Sequence, residues 1–183
     1  MTQVQSNPNQ RTSPDKTKSK LVTAIFRNRV AAHSAVDALI YQGYTQRDIS
    51  MLMTDSTRSK EFGLESGSKV GEGAGVGGVI GGTVAAAIAA IAAIGTSLVI
   101  PGIGLVVAGP IAAALAGAGA GGAAGTLVGA LVGAGIPEHR AKIYDAGLRE
   151  GGILVGVEAR SDEEVTALEE LFEARGGEQI KKG

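Results

Sequence analysis

The stretch LAGAGAGGAAGTLVGALVGAG, residues 115–135, places glycine at 117, 121, 125, 129 and 133, one every four residues. Residues four apart share one helix face, so this spacing draws a groove without side chains along a helix. Upstream, Gly73, Gly77, Gly81, Ala85, Ala89 and Ala93 make a matching stripe. Small-xxx-small stripes let two helix backbones approach closely, a packing mode common in membranes. Glycine costs about 1 kcal/mol per helical site relative to alanine, and close packing is what returns that energy. We therefore expect two helices, 71–94 and 111–134, forming a hairpin within 71–136. Its helix-packing residues are Gly73, Gly77, Gly81, Gly117, Gly121, Gly125, Gly129 and Gly133.

Two other uses of glycine fit poorly. Gly73, Gly75 and Gly78 satisfy G-x-G-x-x-G, but ESGSKVGE ahead of them is no buried strand. A dinucleotide fingerprint follows a strand and has an acidic residue about 20 positions on. Here the next one after Gly78 is Glu138. Flexible linkers are rich in serine and polar residues, whereas 73–137 offers only Thr83, Thr96, Ser97 and Thr126.

Each expected helix of about 24 residues spans roughly 36 Å, enough for a hydrocarbon core of about 30 Å. Arg58, Lys60 and Lys69 precede the insert, Arg140, Lys142 and Arg149 follow it, and the connector carries no charge. By the positive-inside rule both termini are then cytoplasmic. The connector SLVIPGIGLVVAGP, with its turn signal at Pro101-Gly102, resists a simple two-span arrangement. It is strongly apolar, and two spans leave it in water. The strong apolar residues of the first helix are worth only about −2 to −4 kcal/mol on insertion. Two alternatives answer both objections: the tip stays embedded in the bilayer, or many hairpins bury their tips together in a soluble assembly.

The flanks read as ordinary α/β sequence. KLVTAIFRN is a strand, RVAAHSAVDALIYQGY a helix with Ala32, Val36, Leu39 and Ile40 inward and Gly43 closing it. DISMLMTD sets Ile49, Met51 and Met53 on one face of a second strand. Pro137 suits a first helical position, and the helix that follows ends at Gly151-Gly152. ILVGVEA is a strand. Ser161 and Glu164 have capping-box spacing ahead of a helix with Val165, Leu168, Leu171 and Phe172 inward. EQI is a short final strand.

Two βαβ halves of this kind close as an α+β, ferredoxin-like sandwich. The organisation expected is a disordered polar tail (1–19), a first half (20–55), a linker (56–70), the Gly/Ala-rich helical hairpin (71–136) and a second half (137–183).

The block P-E-x-x-A-x-x-Y-x-x-G-L-x-x-G-G-I-L-V, Pro137 to Val155, with RDISMLMTD and the Gly-Tyr turn, resembles the bacterial general-stress (heat-induced stress) protein domain over roughly 20–180. The resemblance implies stress association and no catalytic residues.

Composition narrows the chemistry further. A net charge of −1 gives no electrostatic case for nucleic acid. The absence of cysteine removes disulfides and thiolate sites. The tail MTQVQSNPNQRTSPDKTKSK has no apolar run and does not read as a secretory signal. His33 and His139 have no ligand spacing. Asp55 and Ser56 in TDSTRSK read as a solvated turn, and Asp162, Glu163, Glu164, Glu169 and Glu170 as a solvated helix face. Lys16, Lys18, Lys20, Arg27 and Arg29 are candidates for anionic lipid contact or a solvated tail.

The expectation is a non-enzymatic bacterial protein with no cofactor, metal, nucleic acid or small-molecule substrate. Its partners are further copies of itself and the lipid bilayer. It sits in the cytoplasmic membrane with both termini cytoplasmic, or alternatively forms a soluble cytoplasmic homo-oligomer with the hairpins at its core.

Overall fold

A computed structural model describes residues 20–63, 96–100, 103–118, 126–133 and 136–182. The run KLVTAIF forms β1 (Lys20–Phe26), whose last five residues are buried. Asn28 then starts α1 (Arg29–Tyr41), its side chain accepting from the Ala31 N–H at 2.9 Å. Helix α1 turns Ala32, Ala35, Val36 and Leu39 inward and ends ahead of Gly43, which adopts φ +86°. All six residues of β2 (Ile49–Thr54) are buried. The Thr54 hydroxyl caps α2 (Asp55–Phe62) by accepting from the Thr57 N–H at 3.1 Å. Next come β3 (Thr96–Ile100), β4 (Ile103–Ala108), α3 (Pro110–Ala118) and α4 (Leu127–Gly133). The chain continues through α5 (Glu138–Arg149), β5 (Ile153–Ala159), α6 (Asp162–Ala174) and β6 (Glu178–Lys182).

The strands form one sheet in the order β3-β4-β2-β5-β1-β6, and every neighbouring pair is antiparallel. The fold is α+β, as expected. Strand β5 lies centrally, with Val155 opposite Ala24 on one side and Met51 on the other. Successive strand residues point to opposite faces, which β2 makes plain. Ile49, Met51 and Met53 enter a core with Phe26, Val155, α1 and α6, whereas Leu52 enters a second core on the other face. That second core joins Ile25, Leu105, Val107 and Leu154 to Ile111 and Leu115 of α3, Leu127 and Leu131 of α4, and Ala141, Tyr144 and Leu148 of α5. Each fully buried leucine there is worth about 1.5–3 kcal/mol of transfer free energy.

The apolar connector is therefore part of a β-sheet. SLVI and IGLVVA are strands, and Val106 faces one core while Leu105 and Val107 face the other. A strand covered on both faces reads as an unbroken apolar run, which is why alternation is missing from its sequence. The helix expected over 111–134 is not continuous. Thr126 is non-helical, and its hydroxyl accepts from the Gly129 N–H at 3.1 Å, starting α4 afresh.

Two local readings change as well. TDSTRSK is not a solvated turn opening a linker: Thr54 caps it into α2. Pro137 sits at the N-cap with ψ 141°, one position before the first helical residue. The tail 1–19 and the first expected helix, with Gly73, Gly77 and Gly81, lie outside the described residues, as do Gly121, Gly125 and the Pro101-Gly102 turn.

Candidate functional site

Strand β6 does not pair evenly with β1. Thr23 lies opposite Lys181 and Ile25 opposite Glu178, so β6 has one residue more than β1 across the interval. Gln179 takes up the extra residue in the left-handed region at φ 55°. A non-glycine residue there costs about 1–2 kcal/mol, and bulges serve to redirect groups at sheet edges.

What the bulge redirects is the Gln179 carbonyl. It accepts from the Tyr144 hydroxyl at 3.2 Å and from Arg140 Nη1 at 3.4 Å. With its single proton committed, the Tyr144 oxygen accepts from the Thr23 hydroxyl at 2.8 Å. Burial pushes the Tyr144 phenol above its ordinary range, against the opposing effects of Thr23 and Arg140.

Beside this chain lies a cleft of about 250 Å³ lined by Ile25, Arg27, Ile143, Gly147, Glu150 and Gln179, among others. Arg27 occupies its rim, with Nη2 at 2.8 Å and Nε at 3.0 Å from Glu178, and Nη1 at 3.4 Å from Glu150. The guanidinium holds the Glu178 carboxyl below the usual range. Both carboxylates thus have a cationic partner, and the phenol holds its proton.

A wider groove of about 790 Å³ runs between α1 and α6, lined by Asp37, Ala38, Tyr41, Ala167, Leu171 and Arg175, among others. Tyr41 stands 95% exposed on its rim. At one end Arg175 Nη1 bonds the Ser34 carbonyl at 3.1 Å and hydroxyl at 2.8 Å, and His33 Nδ1 lies 3.4 Å from Asp37 Oδ2. His33 Nε2 and Asp37 Oδ1 are buried without a hydrogen bond. Burial raises the Asp37 carboxyl, while His33 and Arg175 pull it down.

Residues singled out in the sequence are scattered. Gly117 lies in α3 and Gly129 and Gly133 in α4. Leu127 and Leu131 face the core. Gly129 and Gly133, each two positions from Leu131, fall on the opposite side of that helix, half-buried and exposed respectively. His33 is a boundary residue and His139 is exposed. Lys20 pairs with Asp162 at 2.7 Å. Among the described residues no group of three or more His, Asp or Glu side chains is placed to hold a metal ion. No helix among them is long and apolar enough to cross a membrane.

Two arrangements lie outside the sequence expectations: the bulge at Gln179, and a cluster in which the Tyr44 hydroxyl donates to Glu164, expected on a solvated face, while the Arg160 guanidinium lies over the Tyr44 ring. Nothing local marks residue 179. A tyrosine just after the helix-closing Gly43 was the available clue to the other.

Fold and clefts together define an α+β protein in which one antiparallel sheet is packed between two helical layers. No known protein family, curated protein or solved structure matches this chain.

Proposed function

We propose that this is a non-enzymatic protein that self-associates through a glycine-lined helix face, with the α+β domain as its rigid carrier. One observation carries the reading. On α4, Leu127 and Leu131 are taken up by the domain's own core, while exposed Gly133 and Val132 at 41% exposure lie away from it. A bare backbone strip beside an exposed valine suits close approach by another helix better than it suits contact with water. We infer a ferredoxin-like plan for the carrier, a reading supported by the strand order β6-β1-β5-β2 and by α1 and α6 packing on one face. Association with stress rests on the resemblance of Pro137–Val155 alone.

A membrane location keeps one sequence observation in its favour: residues 73–95 carry no charge. Burial of Leu105, Leu115, Leu127 and Leu131 inside the domain weighs the other way, because these residues are then unavailable to lipid. Light scattering of the detergent-free protein and flotation after carbonate extraction separate the two. A monodisperse soluble oligomer, reduced in size by Gly129→Leu with Gly133→Leu, is expected. A monomer, or an oligomer indifferent to both substitutions, refutes association through α4, and recovery with floated vesicles returns the membrane reading.

A further inference from the structure

The two edges of the sheet are finished differently. Strand β6 carries Glu178, Lys181 and Lys182 and is interrupted by the bulge at Gln179. Charges and bulges are the devices that stop an edge strand from pairing with another chain. Strand β3 has neither. TSLVI contains no charge and no proline, and it pairs with β4 in unbroken register from Thr96 opposite Val107 to Ile100 opposite Ile103. Among the described residues β4 is its single neighbour.

The register settles which backbone groups of β3 turn away from β4. Two residues separate β3 from β4, so Ile100 and Ile103 close the hairpin as a hydrogen-bonded pair. Antiparallel pairs alternate. The N–H and C=O of Ile100, Leu98 and Thr96 therefore turn toward β4, and those of Ser97 and Val99 turn outward. These outward groups are disposed symmetrically about Leu98. A two-fold axis there satisfies all of them, because Ser97 and Val99 of one copy exchange hydrogen bonds with Val99 and Ser97 of the other. Leu98 then faces Leu98. A charged residue facing itself on such an axis destabilises the pair, and TSLVI supplies none.

We propose that β3 is a homodimerisation edge, joining the sheets of two copies of this chain antiparallel through residues 96–100. The proposal rests on the self-association reading and assigns it a surface other than the glycine face of α4.

The chain contains no cysteine, so Leu98→Cys in the full chain introduces a single thiol. Across the axis that thiol meets its own copy at a non-hydrogen-bonded pair, with Cα atoms about 4.5 Å apart and within disulfide reach. Under mild oxidation Leu98→Cys is expected to give a covalent dimer on a non-reducing gel. Thr96→Cys, which faces Ile100 of the other copy, is expected not to. Val99→Pro removes an outward N–H while sparing the bonds to β4, and should weaken dimerisation at least tenfold in sedimentation equilibrium.

Absence of the Leu98→Cys dimer overturns the proposal, and is the result expected if residues 64–95 of the same chain cover β3. Equal cross-linking at Thr96→Cys also overturns it. An oligomer that survives Val99→Pro unchanged but is lost in Gly129→Leu with Gly133→Leu refutes the edge and leaves the α4 reading standing. A protein monomeric throughout refutes both.

Discussion

The Tyr44 hydroxyl donates to the Glu164 carboxylate at 2.8 Å across 120 positions of sequence, and the Arg160 guanidinium lies 4.1 Å above the same ring. Arg160 closes the arrangement twice, its backbone N–H donating to Glu164 and its Nη2 to the Gly43 carbonyl, each at 2.8 Å. The turn leaving α1 is thereby tied to the turn entering α6. The capping box anticipated at Ser161 and Glu164 is half realised: Ser161 accepts from the Glu164 N–H at 3.3 Å, but the carboxylate reaches Arg160 and Tyr44 instead of its cap residue. Burial and the Glu164 hydrogen bond push the phenol up to about 12. The Tyr44 hydrogen bond, with that from Arg160, holds Glu164 below the usual range.

Tyr44→Phe removes one hydrogen bond to this half-buried carboxylate and should cost about 1 kcal/mol in urea unfolding at neutral pH. Because Glu164 is lowered by folding, its contribution is complete above the unfolded glutamate value and is lost as pH falls through the folded one. The gap between wild type and Tyr44→Phe should therefore narrow on acidification. A gap that is constant with pH means that the ring, not its hydroxyl, does the holding.

Gly109 and Gly43 both adopt positive φ, at +82° and +86°, but in different surroundings. A Cβ on Gly109 would collide with the Ile49 carbonyl, whereas one on Gly43 meets open space. Gly43→Ala should cost about 1 kcal/mol from backbone conformation alone. Gly109→Ala should cost more than about 2 kcal/mol, since it also drives β4 away from β2. Thermal melts of the two variants give the comparison, and equal losses contradict the packing at Gly109.

Asp37 titrates in the opposite sense to Glu164. Burial raises its carboxyl, so ionisation penalises the folded state: the penalty is absent below the unfolded aspartate value and complete above the folded one. Asp37→Asn is expected to match or exceed wild-type stability at neutral pH, with any gain vanishing in acid. A clear loss at neutral pH shows instead that attraction to His33 and Arg175 outweighs desolvation.

Much of the outer architecture is legible in the sequence because its signals are local. Ser161, Gly43 and the periodicity of Val165, Leu168 and Phe172 each act within a few residues, whereas Asn28, read as the end of a strand, proves to be the cap of α1. The strands β3 and β4 are not legible in this way. In β4 burial on both faces erases the alternation that marks a strand, and Pro101-Gly102 between the two runs serves equally as the tip of a helical hairpin. The break at Thr126 is hidden by the four-residue glycine period, which continues through it without a fault. The Gln179 bulge leaves no trace, and the tie from Tyr44 to Glu164 leaves only a tyrosine after Gly43, since each depends on elements distant in sequence.

Leu52 on β2 and Leu154 on β5 lie opposite each other, so the chain leaves β2 and enters β5 at neighbouring places. A simple turn would bridge those two strands, and everything between Asp55 and Gly152 is topologically a detour. Yet Ile25, Leu52 and Leu154 are roofed by that detour's helices. Excising it would preserve the path of the four flanking strands while stripping their second face. The excursion has thus passed from optional route to necessary shelter, and shortening it is limited by what must stay covered, not by what must stay connected.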